Sequence, residues 1–246
     1  MIKVGIADYG LNVWYGNMHD YEWRLSMLKE LGFDGIERLE AANAETALRY
    51  NALAHKMGMD FTTCRGTNAA DTLTFSSGLG KNYIWVQSTA SDFDTFCRHA
   101  NHQAQIAKQY GVKVGIHNHL GTPVETKEQL EEFLTRCPDC YIVFDIGHHH
   151  AAGGDPIYII NKYFDRLVTV HFKDYVIKDA NASVWSSRLR FCELGGGVMG
   201  DIPKRVAETL IQKGYNGWVM VEHDTHLQDP RIDLKISRDY LKNCGI

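Results

Sequence analysis

The stretch that decides the fold is VKVGIHNHLGT, residues 112–122. Successive side chains of a β-strand point to opposite faces, so Val112, Val114 and Ile116 share one face and His117 lies on the other. The apolar face is continuous, and the ionisable residue comes where the strand ends. This pattern predicts a buried strand whose apolar face packs against helices and whose carboxyl end carries a histidine.

Three later segments, 140–146, 166–173 and 217–222, repeat this arrangement. In each segment apolar residues alternate along one face, and an ionisable residue stands near the carboxyl end of the other face. Because active sites of parallel barrels lie at the carboxyl ends of the strands, four such strands predict a ring of polar side chains there. The apolar rows contain Ile142, Phe144, Ile146, Val168, Val170, Phe172, Val219 and Val221. The predicted ring contains His117, Asp145, His171 and Glu222.

Strand and helix alternate along all 246 residues, which predicts a parallel sheet covered by helices. About eight strand–helix units in such a chain are typical of a (β/α)8 TIM barrel, and no linker rich in Pro or Ser divides it. We therefore predict a single TIM-barrel domain over 1–246. A doubly wound sheet is the alternative, although no nucleotide-binding glycine fingerprint follows the first strand. The predicted strands are 2–7, 33–39, 60–64, 82–87, 112–118, 140–145, 166–172 and 217–222. The predicted helices are 20–31, 42–57, 91–110, 125–136, 156–164, 201–213 and 231–243, and the connection 68–81 favours a helix least.

The composition disfavours several classes of partner. Lys and Arg number 26 against 30 Asp and Glu, and without a basic run the net charge of −4 disfavours nucleic acid and anionic membranes. No segment approaches a membrane span and the amino terminus lacks a signal pattern, so we expect a cytoplasmic protein. The six cysteines are scattered, and we expect reduced thiols, including the close pair Cys137 and Cys140.

Two imidazoles and two carboxylates that converge are costly to bury unless they are paired. A divalent cation is the simplest partner, so we predict that the four ring residues bind a metal ion. Imidazole with carboxylate suits Mn²⁺, which we favour, with Co²⁺ or Zn²⁺ as alternatives, and the absence of Cys disfavours a structural zinc site. The competing interpretation is four unrelated core residues satisfied by hydrogen bonds.

Neighbouring residues face the same edge of the sheet. His119 shares a face with His117, and His148 begins the histidine run after Asp145, so either imidazole can act as base or acid near neutral pH. Lys173 follows His171 by two residues, and its ammonium can stabilise an enolate there. We predict His119, His148 and Lys173 as catalytic, against the alternative of solvated loop residues. His149 and His150 are expected on the surface or behind the site.

Further residues are predicted to contact substrate. Glu37 ends the second strand on the inward row, with a strand-end salt bridge as the alternative interpretation. Trp14, Tyr15 and Trp85 lie near other strand ends and can form an apolar wall for a sugar ring, although such residues commonly belong to the core. The run Gly195–Gly197 predicts unusual backbone angles or close approach to a ligand.

Five motifs, in this order along the whole chain, resemble the xylose-isomerase-like TIM-barrel superfamily of sugar phosphate isomerases and epimerases, which also includes inosose dehydratase. The resemblance implies that the four ring residues bind a catalytic divalent metal and that His148 and Lys173 contact substrate. It also leads us to predict a substrate contact at Glu193. The motifs are His117-Asn118-His119-Leu120-Gly121-Thr122, Asp145-Ile146-Gly147-His148, Val170-His171-Phe172-Lys173-Asp174, Glu193-Leu194-Gly195-Gly196-Gly197-Val198 and Val221-Glu222.

One position departs from the usual superfamily pattern. Its isomerases and epimerases carry a glutamate where this chain has His117, and that glutamate serves as both metal ligand and base. The form His117-x-His119-x-Gly121-Thr122 is more similar to inosose dehydratase. The resemblance therefore favours a lyase.

We predict a metal-dependent lyase that acts on a keto-sugar, keto-glycoside or keto-inositol by proton abstraction next to the ketone and β-elimination. The alternative is a sugar isomerase or ketose 3-epimerase that uses the same metal-stabilised enediolate. A DNA-repair endonuclease would need more metal ligands and a basic groove, and a metal-free carbohydrate-binding barrel would need no ionisable ring. The expected partner is a small carbohydrate or cyclitol, and the absence of a phosphate-binding glycine loop favours an unphosphorylated one. A homo-oligomer is compatible with the sequence.

Overall fold

Eight parallel strands form the central sheet in the computed structural model, which describes residues 1–16 and 20–246. They are β1 (Lys3–Ala7), β2 (Gly35–Glu40), β3 (Asp60–Arg65), β4 (Tyr83–Trp85), β5 (Lys113–His117), β6 (Tyr141–Asp145), β7 (Leu167–Phe172) and β10 (Trp218–Glu222). A separate antiparallel hairpin contains β8 (Asp174–Ile177) and β9 (Leu189–Cys192). The strand order β3-β2-β1-β10-β7-β6-β5-β4 confirms the predicted (β/α)8 barrel.

The helices cover the outside of the sheet, and side-chain caps start many of them. Asp20, Asn43 and Asp92 each accept a backbone N–H in the first turn of the following helix, as capping residues do. Within the described ranges, no helix is long and apolar enough to cross a bilayer. The helices are α1 (Tyr9–Trp14), α2 (Tyr21–Glu30), α3 (Ala44–Met57), α4 (Ala69–Gly78), α5 (Phe93–Lys108), α6 (Lys127–Arg136), α7 (Ile146–Ala151), α8 (Pro156–Lys162), α9 (Trp185–Arg188), α10 (Ile202–Gln212) and α11 (Pro230–Asn243).

The predicted strands and helices all occur, with ends shifted by a few residues. The connection 68–81, which favoured a helix least, contains α4. Asn68 caps this helix, and the helix buries Leu73 and Ser76 on its inner face. The sequence patterns missed α1, α7, α9 and the hairpin. The helix α7 follows Asp145 directly, and the carboxylate of Asp145 accepts the N–H of His148 as its cap.

One predicted apolar row is wrong at Val168. The register of β6 against β7 shifts between Ile142 and Val143, so that Val168 becomes an extra residue on β7. Its Cγ2 lies 3.0 Å from where a Cβ on Gly115 would stand, so Val168 faces the inside of the barrel with Gly115. A β-bulge of this kind breaks the strict alternation that the prediction assumed.

The barrel has a seam, because no backbone pairing joins β3 and β4 in the described chain. Side chains bridge this seam instead. The Tyr83 hydroxyl lies 2.7 Å from the Thr62 hydroxyl, and Lys81 donates to Asp60 at 2.7 Å. Lys3 donates to the other oxygen of Asp60 at 2.9 Å. Partial burial works against the charge of Asp60, but these two lysines outweigh it and lower its pKa to about 2.

Replacing Asp60 by Asn removes both of its charged bonds, the one to Lys81 across the seam and the one to Lys3 of β1. We expect Asp60→Asn to lower the free energy of unfolding by about 1 kcal/mol at pH 7, since the carboxylate is partly screened by solvent. The folded pKa lies below the unfolded one, so the difference from wild type should fade as the pH falls from about 4 towards 2.

Urea unfolding at several pH values measures the effect of Asp60→Asn. Asp139→Asn is the matched control, because it removes only an exposed pair with Lys108. A difference for Asp60→Asn that persists undiminished at pH 2 contradicts this assignment.

Candidate metal centre and active site

The four ring residues meet at the carboxyl ends of β5, β6, β7 and β10, and we call them the His-Asp-His-Glu cluster. One nitrogen or oxygen from each lies within 4.8 Å of the others. His171 Nδ1 lies 2.7 Å from Glu222 Oε2 and 3.9 Å from Asp145 Oδ2. His117 Nε2 lies 3.5 Å from the same oxygen of Asp145 and 4.0 Å from that of Glu222. Four ligand atoms thus surround one point.

Two atoms of this cluster lack a hydrogen bond. His117 Nε2 and Asp145 Oδ2 are buried, and neither has a hydrogen-bond partner among the described residues. Burial also lowers the pKa of His117, so its ring is neutral at neutral pH. A buried imidazole nitrogen without a hydrogen bond, beside a carboxylate oxygen whose closest charged partner is the Lys173 ammonium at 3.2 Å, carries a desolvation cost that a cation would reduce. The donor set therefore fits a divalent cation.

Glu37 orients His171 from behind. Its Oε1 lies 2.9 Å from His171 Nε2, and the same oxygen accepts from Trp85 Nε1 and the Tyr83 hydroxyl, both at 3.2 Å. A carboxylate on the far nitrogen of a ligating histidine fixes its ring and raises its basicity. Burial works against the charged imidazole, but Glu37 and Glu222 outweigh it and raise the pKa of His171 to about 10. A cation at Nδ1 would therefore displace a proton from this ring.

Lys173 supplies the fixed positive charge of the site. Its Nζ lies 3.2 Å from both Asp145 Oδ2 and Glu222 Oε2, and 2.7 Å from Asp224 Oδ1. Burial disfavours the ammonium, but these three carboxylates outweigh it and raise the pKa of Lys173 above its usual value. Gly147 is required beside it, because a Cβ there would stand 2.5 Å from the Cβ of Lys173.

His119 and His148 lie against each other, with ring centroids 3.6 Å apart and planes inclined by 37°, and their rings lie 5.6 and 6.1 Å from that of His117. His119 Nδ1 lies 2.7 Å from the Leu120 carbonyl, so this nitrogen carries the proton and Nε2 is left as a base. The His119 side chain is 25% exposed, whereas that of His148 is 1% exposed. Burial and the Lys173 ammonium lower the pKa of His148 to about 4, and its Nε2 lies 2.9 Å from Lys173 Nζ.

The sequence patterns missed two residues at this site. Asp224 contacts Lys173, and its Oδ2 lies 3.5 Å from His148 Nε2 and 3.9 Å from His119 Nε2. It follows Glu222 by two residues, so the alternation rule that selected Lys173 could have found it. Trp185 of α9 lies with its ring 5.4 Å from His119. No strand pattern marks it, because the hairpin and α9 lie outside the barrel alternation.

The predicted substrate contacts divide into two groups. Trp85 stands at the cluster with its ring 4.6 Å from His117, and Glu37 lies buried behind His171. Trp14 lies on α1, 47% exposed, and its ring contact is with His226 at 6.3 Å. Glu193 follows β9 and lies against Gly196. No measured contact among the described residues joins Trp14 or Glu193 to the cluster, and their roles remain predictions.

Other residues that the sequence singled out have structural neighbours. Tyr15 packs on Trp23, His149 is buried against Phe144 and His150 lies 2.9 Å from the Tyr175 hydroxyl. All six cysteines are free thiols, and five of them are buried.

The glycine run closes around a carboxylate of the chain itself. Asp174 accepts the backbone N–H groups of Gly195, Gly197 and Met199 at 3.0 to 3.2 Å. Gly195 has a φ of +82°, a backbone conformation that favours glycine. Because Asp174 follows Lys173 directly, this loop anchors the chain beside the Lys173 ammonium.

Comparisons with known proteins agree with this architecture. Residues 40–244 match the family described as "Xylose isomerase-like TIM barrel". The inosose dehydratase of Lactiplantibacillus plantarum is 31% identical over 165 residues, which are 63% of this chain and 55% of that protein. The chain thus spans about half the length of the curated relatives it matches.

Two solved structures share the fold at low identity. The probable 3-DHS dehydratase AsbF of Bacillus anthracis has a TM-score of 0.76 at 15% identity, over 99% of both chains. A xylose isomerase-like TIM barrel protein of Mycobacterium smegmatis in complex with magnesium has a TM-score of 0.71 at 14% identity, over 99% of this chain and 96% of that chain.

The unpartnered nitrogen of His117 gives a direct test of the metal centre. We expect His117→Gln to weaken binding of a divalent cation by more than about 100-fold, since loss of even an outer partner typically costs 10- to 100-fold. Without cation the variant should be at least as stable as wild type, because it loses no hydrogen bond at Nε2.

Calorimetric titration and thermal unfolding, each with and without Mn²⁺, measure both effects. His55→Gln, on the exposed face of α3, is the control and should behave as wild type. Equal cation affinity in His117→Gln and wild type would rule out the cluster as the binding site.

Proposed function

The chain belongs to the xylose isomerase-like TIM barrel family, and from that premise we propose that it is a divalent-metal-dependent carbon–oxygen lyase. Its substrate is a keto-sugar, a keto-glycoside or a keto-inositol, from which it eliminates a β-oxygen as water or alcohol. The observation that carries this proposal is the placement of the His119 imidazole, whose Nδ1 bonds the Leu120 carbonyl and whose Nε2 is left as the acceptor, beside a ligand cluster that contains His117. The resemblance implies a glutamate at that position in the related isomerases.

The cluster residues His117, Asp145, His171 and Glu222 would hold the cation. We favour Mn²⁺, with Co²⁺ or Zn²⁺ as alternatives, because mixed imidazole and carboxylate donors suit these ions. When bound, the ion supplies Lewis-acid polarisation of the substrate ketone, which acidifies the neighbouring carbon.

His119 removes the proton from that carbon. Its Nδ1 proton is committed to the Leu120 carbonyl, so Nε2 is free to accept, and the side chain is partly open to the barrel mouth. His148 is less suited to this role, because it is buried and its Nε2 already faces the Lys173 ammonium. Trp85 and Trp185 flank the histidines and provide apolar surface for a sugar or cyclitol ring.

Lys173 stabilises the negative charge that develops on the substrate oxygen during proton removal. Its raised pKa keeps it charged, and its contacts with Asp145 and Glu222 fix it beside the cluster. The electron pair left on carbon then expels the β-oxygen. The imidazolium of His119 returns the abstracted proton to that leaving oxygen, so that water or alcohol departs and His119 becomes neutral again.

Elimination is favoured over epimerisation by the placement of the bases. Epimerisation requires proton delivery to the opposite side of the carbon, which a glutamate at position 117 would serve in the related isomerases. Here that position carries an imidazole directed at the cluster, and His119 and His148 stack together on one side. Glu37 is committed to His171, Trp85 and Tyr83.

Incubation in D₂O distinguishes the two reactions. We expect the Mn²⁺-loaded protein to release water from an inosose, or the aglycone from a 3-keto-glucoside, detected by mass spectrometry and NMR. Chelation with EDTA should abolish the release, and added Mn²⁺ should restore it. Deuterium incorporation without loss of the β-substituent would show an epimerase or isomerase instead.

Replacement of the base tests its assignment. We expect His119→Gln to lower kcat by about 10²- to 10⁴-fold with little change in KM or thermal stability, since general base catalysis contributes about that much. The variant should also lose exchange of the substrate proton next to the ketone in D₂O. His150→Gln is the matched control, because His150 contacts Tyr175 and not the cluster. If His119→Gln keeps wild-type kcat, the base lies elsewhere.

A further inference from the structure

A cavity of about 670 Å³ opens at the carboxyl ends of β3 and β4, where the barrel seam lies. It is lined by residues of β2, β3 and β4, of the loop after β4 and of α4 and α5. A cavity of this size can take a sugar-sized group. Because no strand pairing closes the seam among the described residues, side chains and not backbone define its walls.

Trp85 joins this cavity to the His-Asp-His-Glu cluster. The indole lines the cavity and also stacks on His117 at 4.6 Å, while its Nε1 donates to Glu37. A single molecule that contacts Trp85 can therefore reach from the cluster into the cavity.

Arg38 lines this cavity, and the carboxylates that act on it lie beyond ion-pair distance. Burial works against its charge, but Glu37, Asp8, Glu222 and Glu40 outweigh burial and raise the pKa of Arg38. Its guanidinium stacks on Trp85 at 4.4 Å, and in the part of the chain that the structure describes no carboxylate lies within salt-bridge distance of it. The contrast is Arg24, which is fully buried and bonds Asp8 at 3.0 Å and Asn12 at 2.6 Å, whereas Arg38 is partly exposed. Stacking leaves the edges of a guanidinium free for a planar or tetrahedral oxyanion.

The charged side chains that line the cavity are all positive. Arg65 also lines it, and no Asp or Glu does among the described lining residues. Glu40 is the nearest acid to Arg65, 3.6 Å away on a pair that is largely exposed, so this arginine can turn towards a ligand. The first turn of α4 offers little, because Asn68 and Asp71 cap one another there.

We propose that this seam cavity binds an anionic substituent of the substrate, a carboxylate or a phosphate, through Arg38 with Arg65 as a second cation. The inference rests on the proposed function, since it places the ketone of the same molecule at the cluster and the anionic group beyond Trp85. It adds a substrate class to that function: a hydroxyketone that carries an acid group.

Binding of matched probes tests the proposal. The probes are a cyclic β-hydroxyketone with a ring carboxylate, the same compound as its carboxamide, and the same ring with a phosphate ester. Calorimetry on the Mn²⁺-loaded protein measures each affinity without requiring turnover. We expect the carboxylate or the phosphate to bind about 10- to 100-fold more tightly than the carboxamide, as a charge-assisted bond to a guanidinium implies. Whichever probe, carboxylate or phosphate, exceeds the carboxamide in affinity by the larger factor identifies the anionic group that the cavity prefers.

Substitutions of single arginines test which side chains cause the preference for the anionic probes. Arg38→Met keeps apolar contact with Trp85 and should reduce the anion preference to within about threefold, while carboxamide affinity stays constant. Arg65→Met should reduce the preference in part. Arg49→Met removes an exposed arginine of α3 outside the cavity and should leave the preference intact. Circular dichroism and Mn²⁺ stoichiometry verify that each variant is folded.

The outcomes separate this proposal from the proposed function. If the wild-type protein binds all three probes with equal affinity, the anion site is overturned without any variant. A folded Arg38→Met protein that keeps the wild-type anion preference overturns it as well. An anion preference without elimination of any probe would refute the lyase assignment alone. Elimination from neutral ketones, together with no preference for the anionic probes, would refute anion binding in the seam cavity and leave the lyase assignment standing.

Discussion

Buried negative charge at the carboxyl ends of β6 and β10 is the constraint on which the site depends. Asp145 and Glu222 are fully removed from water, and two such carboxylates side by side are stable only if cations face them. The protein supplies these itself as Lys173, 3.2 Å from both, and His171, whose pKa is raised to about 10 by Glu37 and Glu222 against the effect of burial. A divalent ion bound at the cluster would replace the proton of His171 in this balance and leave Lys173 in place, so cation binding and protonation would compete at one ring.

The scaffold fixes these charges through contacts remote from the cluster. Glu37 of β2 holds the far nitrogen of His171 across the barrel, and the glycine loop holds Asp174 beside Lys173. The seam between β3 and β4 leaves room next to Trp85 that a fully paired barrel would fill. The strand ends of β5, β6, β7 and β10 thus hold the charged side chains in place. The seam between β3 and β4 leaves the open space in which we propose that part of the substrate binds.

Alternation along the strands predicted the cluster because each member is the last inward residue of a regular strand. The same rule was wrong at Val168, where a bulge adds a residue that no local pattern reveals. It did not identify Trp185, which reaches the histidines from a hairpin outside the barrel. The role of Glu37 and the proton position on His119 depend on contacts across the fold, 134 residues apart in the first case. Local periodicity predicts which side chains face the mouth, but not which of them bond one another.

The imidazole at position 117 changes what the ligand cluster can do. With glutamate there, three carboxylates and one histidine would give a set of charge −3, which more than offsets a divalent ion. With His117 the set carries −2, which would balance the charge of a divalent ion without exceeding it and would retain its power to polarise a ketone. The exchange also removes a carboxylate base from the cluster. In the proposed reaction the base must then come from outside the cluster, where His119 bonds the Leu120 carbonyl through Nδ1 and is 25% exposed. Separation of the ligand from the base suits a reaction in which one imidazole takes a proton from carbon and gives it to a departing oxygen.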